Sequence, residues 1–186
     1  MTLLYLVRHG QTEWSRSGRH TSITDLDLTQ EGIQQATSLG ARLDPSDFGL
    51  VLTSPRLRAQ RTAELAGFEN YEVTEDLAEW YYGDFEGLTS DEIRERRPGW
   101  RIWFNGCSGG ESADEVRARL TRIVARVRAS GVERAICFGH GHASRVLALC
   151  WLDFPIMFGQ SFPLEVGSLS ILGREKESAA ILRWNS

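Results

Sequence analysis

The residues of this sequence that could handle a phosphoryl group come in four short runs. Arg8 and His9 stand side by side, Arg56 and Arg58 are two apart, Glu79 precedes Trp80-Tyr81-Tyr82, and His140 and His142 flank a single glycine, Gly141. Guanidinium forks bind phosphate oxygens in pairs, and a neutral imidazole is a competent nucleophile at neutral pH. Two imidazoles and two or more arginines without a cluster of carboxylates suit a phosphate dianion and suit a hard metal ion poorly. His140-Gly141-His142 also lacks the further ligands of a catalytic zinc, so no metal and no organic cofactor are expected. Each residue has a plainer reading beside this one. An arginine at a helix start can be a solvated cap, a single histidine can be structural, and Glu79 can simply pair with an arginine.

These side chains need elements that bring them together. Leu3 to Val7 reads as a buried strand ending at Arg8-His9, Leu50 to Leu52 as a second ending near Ser54, and Ala135 to Phe138 as another ending at Gly139-His140. Tyr71 to Val73 and the late runs Leu169 to Leu172 and Ala180 to Trp184 read as further strands. Between them lie helix patterns. Thr29 is placed to cap one helix, and Ser54 followed by Pro55 to open a second that runs to about Gly67. Thr89 with Glu92 and Ser112 with Glu115 are capping boxes, the first opening a helix stopped by Pro98-Gly99. The helix after Ser112 carries Val116, Leu120, Ile123, Val124 and Val127 at helical spacing, with its arginines expected on the solvated face. Ala143 to Trp151 reads as the last helix. Strands alternating with helices predict an α/β fold with a mostly parallel sheet covered on both faces. Ligands in such folds bind beyond the carboxyl ends of the strands, where these runs fall.

Composition narrows the partners. The chain has 186 residues and a net charge of −4, and its cations are all arginine except Lys176, so there is no general positive field for nucleic acid. No apolar stretch reaches the length of a membrane span, and Leu3 to Val7 lacks the basic start of a signal peptide. Cys107, Cys137 and Cys150 form no CxxC pair and are odd in number. A cytoplasmic, single-domain protein over residues 1–186 is expected, with oligomeric state left open and a homodimer as one option.

Leu6-Val7-Arg8-His9-Gly10-Gln11-Thr12-Glu13-Trp14 resembles the signature of the histidine phosphatase superfamily, the phosphoglycerate-mutase-like family. Ser54-Pro55-Arg56-Leu57-Arg58-Ala59 resembles its second arginine motif, Glu79 through Gly83 to Glu86-Gly87 its acid motif, and Gly139-His140-Gly141 its second histidine motif. All four occur in the family's order and span most of the chain. Within the family the likeness runs to fungal sedoheptulose 1,7-bisphosphatases and to small bacterial phosphatases sharing Glu79-Trp80, Gly106-Cys107 and His140-Gly141-His142.

The resemblance implies a phosphoglycerate-mutase-like fold and a phosphatase acting on a small phosphorylated metabolite such as a sugar bisphosphate. It implies that His9 forms a phosphohistidine, that Arg8, Arg58 and His140 hold the phosphoryl oxygens, and that Glu79 is the general acid. That role needs Glu79 to carry a proton, which desolvation by Trp80, Tyr81 and Tyr82 would favour. Gln11, Ser15, Thr21, Gly141 and His142 are candidate substrate contacts, and Gly10 is expected to let backbone approach the phosphoryl group. Trp100, Trp103 and Phe104 are candidates for covering the site, and Arg94, Arg96, Arg97 and Arg101 for a second substrate phosphate or a solvated face. The sequence departs from the family pattern at Ser15, where Asn is common, and at Gln60-Arg61. A short segment between Glu79 and His140 favours access of water over mutase chemistry. A mutase, a protein phosphohistidine phosphatase and an inactive phospholigand-binding module remain as alternatives.

Overall fold

The computed structural model describes residues 2–186. Strand β1 (Leu3–Arg8) is followed by a single turn, α1 (Glu13–Arg16), and by α2 (Gln30–Gly40). Then come β2 (Leu50–Thr53), α3 (Leu57–Leu65), β3 (Glu72–Val73), α4 (Ser90–Arg96) and the short α5 (Ile102–Asn105). The long α6 (Ala113–Ala129), β4 (Arg134–Gly139), α7 (Gly141–Leu152), β5 (Leu169–Glu175) and β6 (Ser178–Arg183) complete the chain. The sheet order is β3-β2-β4-β1-β5-β6. The pairings from β3 to β1 are parallel, while β5 and β6 add an antiparallel hairpin against β1. The sheet is therefore mixed, with its parallel part carrying the candidate residues.

Period-two alternation explains why helices cover both faces. Leu4 and Leu6 of β1 and Ala135 and Cys137 of β4 point into a core shared with Val116, Leu120 and Ile123 of α6 and Val146 and Leu147 of α7. Val7, Ile136 and Phe138 point the other way, onto Leu39 of α2, Ala63 of α3 and Phe68. The chain leaving β1 thus turns to one face and the chain leaving β4 to the other. The crevice between those two strand ends is where an open α/β sheet accepts a ligand. Among the described residues no helix is long and apolar enough to cross a membrane.

The helix signals hold with two exceptions. Thr29 caps α2 through the Gly32 N–H, and the capping boxes at Thr89 and Ser112 both close. Helix α3, however, begins after Arg56 rather than at Ser54-Pro55, without a side-chain cap of its own. The Ser54 hydroxyl is bonded to His140, and the Leu57 N–H donates instead to Asp25, which caps the helix from another loop. The second exception is Arg119 of α6, which is buried and not on a solvated face.

Candidate active site

Three neighbouring strands end in register: Arg8 lies opposite Gly139, and Thr53 opposite Phe138. One ladder step further, the His9 N–H donates to Gly139 O at 3.0 Å and the Ser54 N–H to Phe138 O at 2.9 Å. Sheet geometry therefore sets His9, Ser54 and His140 along one edge. The loop after His9 is pinned from both sides, since the Gly10 N–H donates to the Thr62 hydroxyl of α3. A Cβ on Gly10 would lie 2.4 Å from Gly32 O of α2. The glycine is needed here for two stretches of backbone to touch.

The His9 ring is buried, and its Nδ1 is 2.7 Å from Gly10 O. A carbonyl only accepts, so Nδ1 carries the proton and Nε2 keeps its lone pair. Burial, with the Arg58 and Arg8 charges, holds this imidazole well below its usual pKa, outweighing the upward pull of the Gly10 bond. The His140 ring stands edge-on to His9, with centroids 5.2 Å apart, and its Nε2 is 2.6 Å from the Ser54 hydroxyl. Burial and the Arg58 charge lower its pKa strongly as well.

Arg58 is completely buried and held by main chain: Nη1 donates to Thr24 O at 3.1 Å, and Nη2 to Thr21 O at 3.0 Å and Ser22 O at 3.3 Å. That loop is in turn gripped by Glu86, whose carboxylate accepts the N–H groups of Ser22 and Thr24 and the Ser22 hydroxyl. Burial pushes the Glu86 pKa up, but these bonds outweigh it and the net shift is down. Arg8 donates from Nη1 to Leu164 O, and Gly141 lies so close that a Cβ there would meet its guanidinium carbon at 3.3 Å. The Nε atoms of Arg8, Arg56 and Arg58 and Nδ1 of His140 are buried without a partner. Buried polar atoms are normally paired, so these mark an open demand for hydrogen-bond partners near His9, whose ring feels the Arg58 and Arg8 charges.

Glu79 closes the opposite side. Its Oε1 accepts the Trp80 and Ala143 N–H groups at 2.8 Å each, and Oε2 the His142 N–H at 3.0 Å, at the start of α7. No arginine forms an ion pair with it among the described residues, so the plain pairing reading does not apply. Trp80 and Tyr82 are buried, whereas Tyr81 is turned outward and does not desolvate the carboxyl. Arg119 reaches from α6 to fix this strand of chain, donating to the carbonyls of Asp76, Ala78 and Glu79 while pairing with Glu111 at 2.8 Å. Sequence reasoning missed Arg119; its signal was a place three residues after Val116 and four before Ile123, on the apolar stripe.

A cleft of about 210 Å³ opens beside His9, lined also by Arg8, Glu79, Arg19, His20 and Arg145. Ser15, Thr21, Gly141 and His142 line it, as the sequence suggested. Gln11 does not. Its side chain accepts from Thr29 at the start of α2 and its N–H donates to Gln35, so it ties the loop after His9 to the helix. His20, also missed from the sequence, lines the cleft too, stacked on His142 at 5.9 Å with ring planes 8° apart. An adjoining cleft of about 200 Å³ shares His20, His142 and Arg145 and brings in Arg94, Arg101 and Trp103. Arg97 instead lies over Phe85 and Arg96 faces solvent, so two of the four helix arginines reach the site. Trp100 and Trp103 are core residues, and Phe104 is exposed.

Residues 4–186 match the family model of the histidine phosphatase superfamily, branch 1. The chain belongs to that superfamily. An acid phosphatase of Mycobacterium tuberculosis is 42% identical over 92% of this chain and 86% of its own length. The sedoheptulose 1,7-bisphosphatase of Saccharomyces cerevisiae is 38% identical over 81% of this chain and 68% of its own. The solved structure of the Mycobacterium tuberculosis open reading frame Rv3214 superimposes with a TM-score of 0.94 at 38% identity, covering 99% of this chain and 97% of that one. As a member of this superfamily the chain is a phosphatase enzyme of the phosphoglycerate-mutase-like fold.

Proposed function

We propose that this histidine phosphatase hydrolyses the phosphomonoester of a small, sugar-like metabolite, including sugar bisphosphates, through a phosphohistidine on His9. The observation that carries this reading is the His9 ring, with Nδ1 locked by Gly10 O and Nε2 left as a lone pair among guanidinium groups with unpartnered Nε atoms. Nε2 attacks phosphorus and the bond to the ester oxygen breaks. Arg8, Arg58 and the His140 ring hold the equatorial oxygens as charge shifts between donors, an electrostatic contribution large in phosphoryl transfer. Glu79 gives a proton to the leaving alkoxide. As a carboxylate it then takes a proton from the water that attacks phosphohistidine, which releases phosphate and restores neutral His9. Ser15, Thr21, Gly141 and His142 contact the substrate from the cleft walls. No metal or cofactor enters any step.

The bisphosphatase relative supports the sugar-phosphate assignment, and the open cleft beside His9 supports access of water over retention of a transferable phosphoryl group. A single domain over residues 1–186 is supported by one continuous sheet, and a reducing, cytoplasmic setting by three free cysteines. The test is phosphate release from a sugar bisphosphate and from phenyl phosphate in excess chelator, with acid-quench trapping of phosphoenzyme. Wild type is expected to turn over both and to trap acid-labile, alkali-stable phosphate, and His9→Ala to lose both signals by about four powers of ten or more while keeping its melting transition. Transfer without release would indicate a mutase; no turnover of any ester would indicate a binding module.

A further inference from the structure

The cleft beside His9 contains two further imidazoles that the proposed phosphoryl chemistry does not use. His20 Nδ1 is 2.8 Å from Leu88 O, which can only accept, so Nδ1 is the protonated nitrogen and Nε2 is an acceptor. His142 Nδ1 is 2.7 Å from the Tyr82 hydroxyl. That phenol is buried and has no other acceptor among the described residues, so its hydrogen points to Nδ1 and the His142 proton sits on Nε2. The rings are stacked almost parallel, both line the cleft, and neither Nε2 has a protein partner among the described residues. Burial, the largest influence on each, keeps both imidazoles uncharged.

We infer that the stacked His20 and His142 rings read hydroxyl groups on the leaving alcohol, one Nε2 accepting and the other donating, so that the enzyme selects phosphoesters of polyhydroxylated alcohols. An alkyl or aryl leaving group would cover both Nε2 atoms without pairing them, whereas hydroxyls on neighbouring carbons both donate and accept. A site built to bond hydroxyls rejects analogues that lack them more strongly than an apolar pocket rejects an added group. Two cations lining this cleft have partners of their own: Arg145 lies over Trp103 at 4.5 Å and donates from Nε and Nη2 to Gly159 O, and Arg19 donates from Nη1 to Gly87 O and pairs with Glu92 at 3.1 Å. Tyr82 acts here as a positioning residue, because its hydroxyl sets which nitrogen of His142 carries the proton.

The inference rests on the phosphatase reading above and is tested with it in one experiment, steady-state kinetics of the full chain on a hexitol phosphate and on phenyl phosphate. His20→Phe keeps an aromatic ring against His142 and deletes the acceptor. The ratio of kcat/KM for the hexitol ester to that for the phenyl ester is expected to fall about tenfold, carried by KM. Tyr82→Phe is expected to shift the ratio the same way by about threefold, and it carries the test alone where thermal melting shows His20→Phe to be unfolded. An unchanged ratio in the folded variants, or an equal loss of kcat on both esters, overturns the inference and leaves the phosphatase reading standing. Wild type that releases phosphate from neither ester overturns both.

Discussion

On the phosphoryl side of the cleft, every functional side chain is held by main chain or by a strand end: Arg58 by three carbonyls, His9 by Gly10 O and Glu79 by three N–H groups. On the proposed leaving-group side, side chains share the hold with main chain: His142 rests on Tyr82 and His20, His20 also on Leu88 O, and Arg145 on Trp103 and Gly159 O. The first arrangement fixes atoms relative to the sheet and suits chemistry common to all phosphoesters. The second depends on which rings are present and suits choosing among alcohols. The proposed catalytic and selectivity roles thus fall on groups with different supports, and substitutions should separate them.

The largest separation is expected from Arg58→Lys. An ammonium cannot span the Thr21, Ser22 and Thr24 carbonyls while presenting the Nε edge, so kcat should drop by about two to three powers of ten on every ester. A drop confined to the hexitol ester would mean that the two sides share one role. Glu79→Gln comes next. Its amide oxygen can still accept the Trp80 and Ala143 N–H groups, while its NH2 replaces the acceptor of the His142 N–H and offers no transferable proton, and the change should cost about a hundredfold on alkyl esters and far less on aryl esters with good leaving groups. Equal losses on both would remove the acid role and return Glu79 to a purely structural one.

Acid exposes what the two sides have in common. His9, His140 and His142 are held well below the usual imidazole pKa and His20 below it, burial being the first cause for each. In the unfolded chain these rings bind protons near pH ~6.5, so below that pH the unfolded state holds more protons than the folded one. Stability should be full above about pH 7 and fall as pH drops through ~6.5 toward the folded-state values, by up to about 1.4 kcal/mol per pH unit for each ring. Urea titrations at about pH 7.5 and about pH 5.5 measure this, and a midpoint rising on acidification would show that the rings charge inside the fold. The smallest effect belongs to Gln11→Ala, which removes one bond to Thr29 outside the cleft. Activity should stay within about threefold and stability fall by about 1 kcal/mol; a large loss in KM would return Gln11 to the substrate.

The meeting of His9 and His140 at one sheet edge was legible in the sequence because both follow strands, Arg8-His9 after Leu3 to Val7 and His140 after Ala135 to Phe138, whereas Arg58 in α3 and Glu79 in a loop took their roles only from the family resemblance. Short-range grammar also carried the capping boxes at Thr89 and Ser112. What it could not carry was partnership across the fold. Ser54 and Pro55 look like a helix start, yet the Ser54 hydroxyl is engaged by a ring 86 positions away and Asp25 supplies the cap. The close approach of Gly10 to Gly32 of α2 is likewise a contact that no local pattern announces. Arg119 looked solvated because arginines usually are, and only the carbonyls of Asp76, Ala78 and Glu79 give it a reason to be inside. His20 stood in a polar loop with nothing beside it in the chain to mark it; its counterpart His142 comes from a different element.

The hold on Arg58 has a further consequence for how freely this enzyme can be altered. Its guanidinium is grasped by peptide oxygens, which every residue type possesses, so the identities of Thr21 and Thr24 are loosely constrained by that grip as long as the turn keeps its path. Thr21 faces the cleft as well, so a change there could retune which alcohol is accepted while the anion clamp stays in place. A library randomised at that turn, with Glu86 and Ser22 retained, should yield many active clones with shifted preferences.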